Sequence, residues 1–267
     1  TDYKLMLKHY ELVDFEILDG CWFYSDIGIF DNYINHYAEI KMNSKGAKRT
    51  EAKLFLNNLY GKLASSSNSS FKVAYVKEDE SIGFYIVPAN NKKVGHIATG
   101  SAITSYARNF TITAAQKNYY GVNKAGFIYA DTDSIHCDLS ADKIKGITID
   151  PVKFCCWKLE SSWDTAIFTR QKTYIEHITH NDLVPVDEAY NDIKCAGMPQ
   201  KCKDLFNKSM QGYEAKKSDN YTQSELKFLE TKRDYSDFKV GLCVPGKLLP
   251  KRIKGGVLLV DTTYEMR

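Results

Sequence analysis

Apolar and polar positions change rhythm several times along the 267 residues. "YELVDFEIL" (10–18) alternates with a period near two and "CWFYS" (21–25) is a short aromatic run; around Asp19-Gly20 they predict two short strands and a turn within 1–28. Over 29–64 the spacing becomes helical and breaks near "NSKG", which predicts two helices. "SSSNSS" (65–70) reads as a polar loop. "KVAYV" and "GFYIV" read as paired strands around "KEDES", and "NNKKVG" (90–95) as another loop. "TGSAITSYARNFTITAAQKN" (99–118) has helical length and Ala-rich spacing. "GFIYADTDSIHC" (126–137) reads as strand, turn, strand. Residues 151–165 are predicted helical and 172–190 strand-rich, and "GGVLLVDTTYEM" ends the chain as a strand behind two glycines. Helices and strands mix without regular βαβ alternation, so an α+β fold is expected.

Hydrophobic residues make up 43% and charged residues 26%, an ordinary globular composition. No apolar run approaches the ~18 residues of a membrane span, and "TDYKLMLKHY" has no apolar signal-peptide core. The first residue is not Met, so the chain is expected to begin inside a longer protein. Net charge is only +3, but it is unevenly spread. Residues 41–62 carry six basic side chains against Glu51 alone, and residues 192–254 carry fourteen basic and eight acidic ones. Two basic regions suit a polyanion partner; on charge alone, two solvated faces are the simpler reading. The seven cysteines form no CxxC pair and no zinc-type spacing with histidine, so they read as reduced thiols of a cytosolic protein. His177 and His180 in "HITH" fall on opposite faces of a strand and read as surface or structural histidines.

In "GFIYADTDSIHC" the apolar run ends at Asp131, and strand alternation would put Asp131 and Asp133 on one side. Two adjacent carboxylates repel each other unless a cation neutralises them or one takes up a proton. Mg²⁺ is a hard ion that usually takes one or two protein carboxylates and leaves positions for water and phosphate. The spacing therefore suits a metal that presents a phosphate substrate. A turn in which the aspartates only accept backbone hydrogen bonds fits the same three residues.

The predicted helix "RTEAKLFLNNLYGKLA" (49–64) carries two stripes. At about 100° per residue, Arg49, Lys53, Asn57 and Tyr60 share a stripe roughly 80° wide, while Ala52, Phe55, Leu56, Leu59 and Leu63 form an apolar face. Two cations one turn apart can grip a triphosphate, and a tyrosine beyond an amide can stack on a base or cover a sugar. Gly61 leaves room for a close approach. An exposed amphipathic helix with solvated Arg and Lys is the alternative.

Taken together, these strings resemble family B DNA polymerases. "YADTDS" is similar to the Y-x-D-T-D-S palm motif that carries metal-binding aspartates, and "KLFLNNLYG" to K-x-x-x-N-S-x-Y-G, with Asn58 in place of serine on the side facing away from the stripe. "NNLYGKLAS", "KVAYVKEDESIGF", "ITAAQ", "YADTDSIH", "RQKTYI" and "KCAGM" occur in the order found in protein-primed polymerases of small tailed phages. The resemblance runs from about Tyr10 to the end of the chain. It implies Asp131 and Asp133 as catalytic metal ligands for two Mg²⁺ or Mn²⁺ ions. It implies Lys53 on the nucleotide phosphates, Tyr60 at the nascent base pair, and Asn57 and Gly61 in support. Lys41 and Arg49 lie where this branch has further phosphate-contacting lysines, although Arg and Lys are not equivalent phosphate ligands. Tyr129 and Thr132 of the hairpin motif fall on the DNA side, as do Lys172 and Tyr174 of a K-x-Y motif. On a strand those last two would share a face, where a cation and an aromatic can hold a primer's phosphate and sugar.

The resemblance also implies an incomplete polymerase right hand: helical fingers, an antiparallel-sheet palm and a small thumb. Residues 1–28 would belong to a first terminal-protein region, 29–65 to the fingers, 66–94 to a second terminal-protein insertion, 95–200 to the palm and 201–267 to the thumb. Residues 201–235 are longer and more polar than the family's usual thumb. The third carboxylate, in a D-x-x-S-L-Y-P motif, is absent from the sequence, as is an exonuclease domain. Two hypotheses follow. One is a DNA-directed DNA polymerase part, in the cytoplasm of a bacterial host, that needs the missing N-terminal part and acts on primed DNA and dNTPs with a terminal priming protein. The other is a non-catalytic remnant or accessory subunit that binds DNA or terminal protein. A reverse transcriptase is a weaker third option, because its hairpin normally carries adjacent aspartates.

Overall fold

The computed structural model describes residues 2–65, 70–89, 95–151, 153, 156–216 and 219–267. In chain order its elements are α1 (Asp2–His9), α2 (Asp31–Asn43), α3 (Gly46–Leu63), β1 (Ser70–Val76), β2 (Ile82–Pro88), α4 (Ile97–Asn118), β3 (Phe127–Asp131), β4 (Ser134–Cys137), β5 (Ser161–Arg170), β6 (Thr173–Asn181), β7 (Val184–Cys195), α5 (Gln200–Gln211), α6 (Gln223–Leu229), β8 (Cys243–Ile253) and β9 (Gly256–Glu265). Among the described residues the sheets are three two-stranded hairpins and one three-stranded sheet ordered β5-β6-β7, so the fold is α+β as expected. The chain divides into two compact units: Thr1–Phe71 with Val87–Cys156, and Lys72–Ile86 with Trp157–Arg267.

The first unit is built on α4. His96 caps this helix, its ring accepting from the Thr99 N–H at 3.2 Å. At the near end a Cβ on Gly100 would sit 2.9 Å from Ala64, so the glycine is what lets the residue capping α3 come so close. α2 and α3 form an antiparallel pair broken at Ser44-Lys45, where the sequence placed the break. Tyr37 stacks on Phe55 at 4.7 Å and the Tyr33 hydroxyl donates to the Phe55 carbonyl at 3.0 Å. α1 is tied to α4 by the Asp2 N–H on Ser105 Oγ at 3.0 Å and by an Arg108–Asp2 ion pair. Both ionic partners are about half exposed, so that pair adds little stability.

The second unit owns a continuous apolar core. Ile175 and Ile193 of the sheet pack with Cys202, Leu205 and Phe206 of α5, Phe228 and Leu229 of α6, and Val244 and Tyr264 of the β8–β9 hairpin. α5 ends at Gly212 in the left-handed region (φ 71), and α6 starts with a capping box between Thr222 and Glu225. The Glu225 side chain is fully buried and is paired with Lys201 Nζ at 2.5 Å. Tyr264 donates to the Ala196 carbonyl at 3.1 Å, and burial pushes its phenol up to about 12.

Two expectations fail. Residues 10–28 contain no strand: the chain runs irregularly, and Leu18 and Trp22 are 85% and 99% exposed. Alternation made a strand pair plausible, but a strand needs a ladder partner for its backbone groups, and no described residue supplies one. Among the described residues the helix expected over 151–165 is also absent: residues 156–160 are irregular apart from a bridge at Trp157, and Ser161–Arg170 is β5. Its aromatic and β-branched residues (Trp163, Thr165, Ile167, Phe168) favour a strand once β6 lies alongside. Most of "SSSNSS" and "NNKKVG", and Cys155, lie outside the described residues.

Candidate nucleotide and metal site

The acidic motif sits at the tip of a short antiparallel hairpin in which Asp131 pairs with Ser134. Asp131 is the last residue of β3 and is half-buried; Asp133 lies in the turn and is exposed. The premise that the two share a strand face is therefore wrong, because alternation stops at Asp131. The turn itself ties their backbones together. The Asp133 N–H donates to the Asp131 carbonyl two residues back at 2.6 Å, a γ-turn bond across Thr132. Thr132 stands at φ 53, where a β-branched residue is a genuine outlier that costs roughly 1–3 kcal/mol. Such strain persists only where the surroundings over-determine it.

Those surroundings come from the hairpin and from α4. Thr132 Oγ1 donates to Asp131 Oδ1 at 3.1 Å and Ser134 Oγ to the Asp131 carbonyl at 3.1 Å. From α4, the buried Thr111 hydroxyl donates to the Thr132 carbonyl at 2.9 Å. At the hairpin base the Gly126 N–H donates to the Asp138 carboxylate, and the Asp138 N–H returns to the Gly126 carbonyl at 3.0 Å. A Cβ on Gly126, at φ 153, would stand 2.2 Å from the Asn118 carbonyl, so only glycine fits there. The fully buried Asn118 side chain donates to the Ala114 and Lys145 carbonyls at 2.8 and 2.9 Å and accepts from the Lys145 N–H at 2.8 Å. Thr111, Ala114, Ala115 and Asn118 form one buried stripe at helical spacing, small enough for the hairpin to lie close. Thr111, Asn118, Gly126 and Asp138 were not singled out from the sequence. The Ala-rich pattern of the helix was the available signal, but it does not say what packs there.

The helix stripe is laid out as expected. On α3, Arg49, Lys53, Asn57 and Tyr60 are all exposed, while Ala52 is buried and Leu56, Leu59 and Leu63 are half-buried; Phe55 stays exposed against Tyr37. Lys41 is half-buried in the last turn of α2. The space beside Gly61 is open: a Cβ there would meet nothing within 4 Å. α3 and the hairpin both pack on α4, which makes that helix their common support. Tyr129 faces His136 across the hairpin with rings 5.4 Å apart.

Lys172 and Tyr174 belong to the second unit. Lys172 is not on a strand: it occupies the β5–β6 turn at φ 55, so the shared strand face expected of the pair does not exist. Tyr174 is on β6, stacked on Phe168 at 5.2 Å. His177 on β6 lies 2.7 Å from Asp164 Oδ1, a structural pairing. In the same unit a cavity of about 820 Å³ opens among Tyr75, Ile82, Arg252 and Val257; none of the nominated residues lines it.

Among the described residues, no group of three or more His, Cys, Asp or Glu side chains is placed to hold a metal ion. None of the described helices is long and apolar enough to cross a membrane. Two carboxylates on one tight turn still suit a hard divalent ion, which takes oxygen donors and commonly only one or two from protein.

An antiparallel hairpin tipped with Asp-Thr-Asp, carried on a helix that also supports a basic-aromatic helical stripe, defines a class, and the chain belongs to it: the family model for type B DNA polymerases, organellar and viral, matches residues 1–149. Within that family the chain is 36% identical over 280 residues to the DNA polymerase of Bacillus phage phi29, and 30% identical over 269 residues to that of Streptococcus phage Cp-1. All of this chain is covered in both cases, but only 43% and 40% of those polymerases. The chain thus spans about two fifths of the relatives it matches. Among solved structures, phi29 DNA polymerase complexed with primer-template DNA and incoming nucleotide substrates aligns with a TM-score of 0.73 at 34% identity, over all of this chain and 42% of that one. The orthorhombic crystal form of phi29 DNA polymerase aligns at 0.74.

Proposed function

We propose that this chain provides the nucleotide-binding surface and part of the metal site of a protein-primed DNA polymerase, and that it extends a primer only together with the remaining polypeptide. One observation carries the reading: the Asp131–Asp133 turn and the Arg49–Tyr60 stripe are both mounted on α4, the former strained and held, the latter exposed. In that role 29–65 act as fingers, 95–200 as palm and 201–267 as thumb, with 66–94 and the remainder at 1–28 as terminal-protein regions.

Asp131 and Asp133 would hold Mg²⁺ or Mn²⁺. When bound, such ions activate the primer hydroxyl and neutralise the triphosphate in an in-line displacement. Lys53 and Arg49 offset phosphate charge from the helix side, with Lys41 adding to the field. Tyr60 packs against the new base pair, beside the open space at Gly61, and Asn57 lies between the cations and the ring. Tyr129 and Thr132 meet the primer–template at the hairpin. Lys172, exposed on its turn, contacts primer phosphate, and Tyr174 the adjoining sugar. The partners are primed DNA, dNTPs and a terminal priming protein, in the cytoplasm of a bacterial host. The lack of a third metal-ligating side chain among the described residues favours one second reading, a DNA-binding remnant without chemistry.

The test combines this chain with a polypeptide covering the N-terminal portion of its relatives, primed template, dNTPs and Mg²⁺. Extension is expected. Asp133→Ala should lower its rate by about a hundredfold or more, with DNA affinity within about twofold. Extension at the parent rate by that variant would sink the metal role. DNA binding without extension by the parent mixture would favour the remnant.

A further inference from the structure

The strained turn needs a support that does not move with it. Thr132 Oγ1 and Ser134 Oγ bond to Asp131 from inside the hairpin, so those bonds travel with the turn. A two-residue hairpin loop asks for positive φ at its first position, but glycine, asparagine or aspartate normally fills it, and strands of five and four residues give little stability of their own to offset the strain of a β-branched residue there. Thr111 reaches the turn from a 22-residue helix, its side chain buried and its hydroxyl 2.9 Å from the Thr132 carbonyl, the carbonyl of the very residue at φ 53.

We infer that Thr111 is a positioning residue: its hydroxyl holds Thr132 in the left-handed region and so keeps the Asp131 and Asp133 carboxylates paired across one γ-turn as oxygen donors for a divalent cation. The cation part of this inference rests on the function proposed above; the hold on the turn does not. Without the donor, Thr132 can relax to the extended or right-handed backbone it prefers. The Asp133 N–H then leaves the Asp131 carbonyl, and the two carboxylates separate. Valine has nearly the same shape as threonine and lacks the donor, whereas serine keeps the donor and loses a methyl group.

The experiment uses the full 267-residue chain, labelled with ¹³C and ¹⁵N, as parent, Thr111→Val and Thr111→Ser. In the parent, the Thr132 ¹³Cα and ¹³Cβ shifts should report positive φ. Thr111→Val should move them toward the extended range, and Thr111→Ser should keep them. Mn²⁺ is then titrated in, following the paramagnetic broadening of the 131–134 amide signals. Loss of an outer partner of metal ligands weakens affinity on the order of tenfold, so the half-point should rise by that factor in Thr111→Val and return in Thr111→Ser. Thr132 shifts unchanged in Thr111→Val overturn the inference, as does a Mn²⁺ half-point within twofold of the parent. A parent hairpin that ignores Mn²⁺ while Thr132 still relaxes in Thr111→Val overturns the metal reading and leaves the hold on the turn standing.

Discussion

The two units are stabilised in different ways. The second unit fully buries Phe206, Phe238, Leu205, Ile175 and Ile178 and covers them with its own elements. Among its described residues the first unit buries mostly small or polar side chains: Ala38, Ala52, Ala114, Ala115, Ser105, Thr111 and Asn118, with Leu5 a larger aliphatic beside them. Nearly all its large apolar residues between 10 and 29 are exposed, among them Tyr10, Ile17, Leu18, Trp22 and Ile27, with Leu12 half-buried. Fully burying one such side chain is worth about 1.5–3 kcal/mol, so the second unit has a driving force that the first one lacks. What shapes the first unit is close backbone approach and hydrogen bonding around α4. The unit carrying the candidate chemistry is thus the one less able to define its own fold, and its exposed apolar surface is of the kind that other proteins bury against further polypeptide.

The sharpest way to break this contrast is to empty one position in each unit. Phe206→Ala should cost about 3–5 kcal/mol, seen as a lower urea midpoint for the second unit, because a cavity opens in a packed core. Trp22→Ser should stay within about 0.5 kcal/mol. Equal losses would mean that residues 10–28 are packed as well as the core is. Next in size, Asn118→Ala leaves the Lys145 N–H and carbonyl without their side-chain partner, at about 1–3 kcal/mol. Amide exchange should quicken in β3 and β4 and stay unchanged in β6; a uniform effect would contradict separate stabilisation. The mildest test is chemical. Burial pushes the Cys137 and Cys202 thiols up to about 11, so near pH 8 each holds on the order of a hundredfold less thiolate than an ordinary exposed cysteine. Because the folded value is raised, their alkylation should accelerate as pH rises toward 11. Cys21 and Cys243, both exposed, should label first. As urea increases, Cys137 should become reactive before Cys202; the reverse order would invert the ranking of the two units.

The same contrast explains what could be read from the sequence. The α2–α3 break, α4, the β1–β2 pair and the acidic hairpin were all legible, because each is specified by spacing and turn residues within its own segment. The stripe on α3 was legible too, since helical geometry alone aligns Arg49, Lys53, Asn57 and Tyr60. Strands over 10–25 were not, because the same alternation is compatible with a strand and with an unpaired chain, and only a partner decides. β5 was misread because Trp163 to Phe168 suits either element until β6 is placed. At the site, the acid pair was visible but its geometry was not. No Gly or Asn marks Thr132 or Lys172 as left-handed, so strand alternation through Thr132 stays as open as a turn, and Lys172 reads as a strand residue. Thr111 was hidden for the same reason: its hydroxyl matters through a carbonyl 21 residues away.

Gly126 and Thr111 have a joint consequence. The hairpin meets α4 at two marks, the Asn118 carbonyl beneath its base and the Thr111 hydroxyl at its tip, seven residues or about 10 Å apart along the helix axis. The acidic tip is therefore indexed to the rotation of a helix. A single inserted or deleted residue between the two marks would turn one of them by about 100° away from the hairpin, whereas a substitution that preserves the register leaves the alignment intact. Length in this stretch of α4 is constrained more tightly than composition.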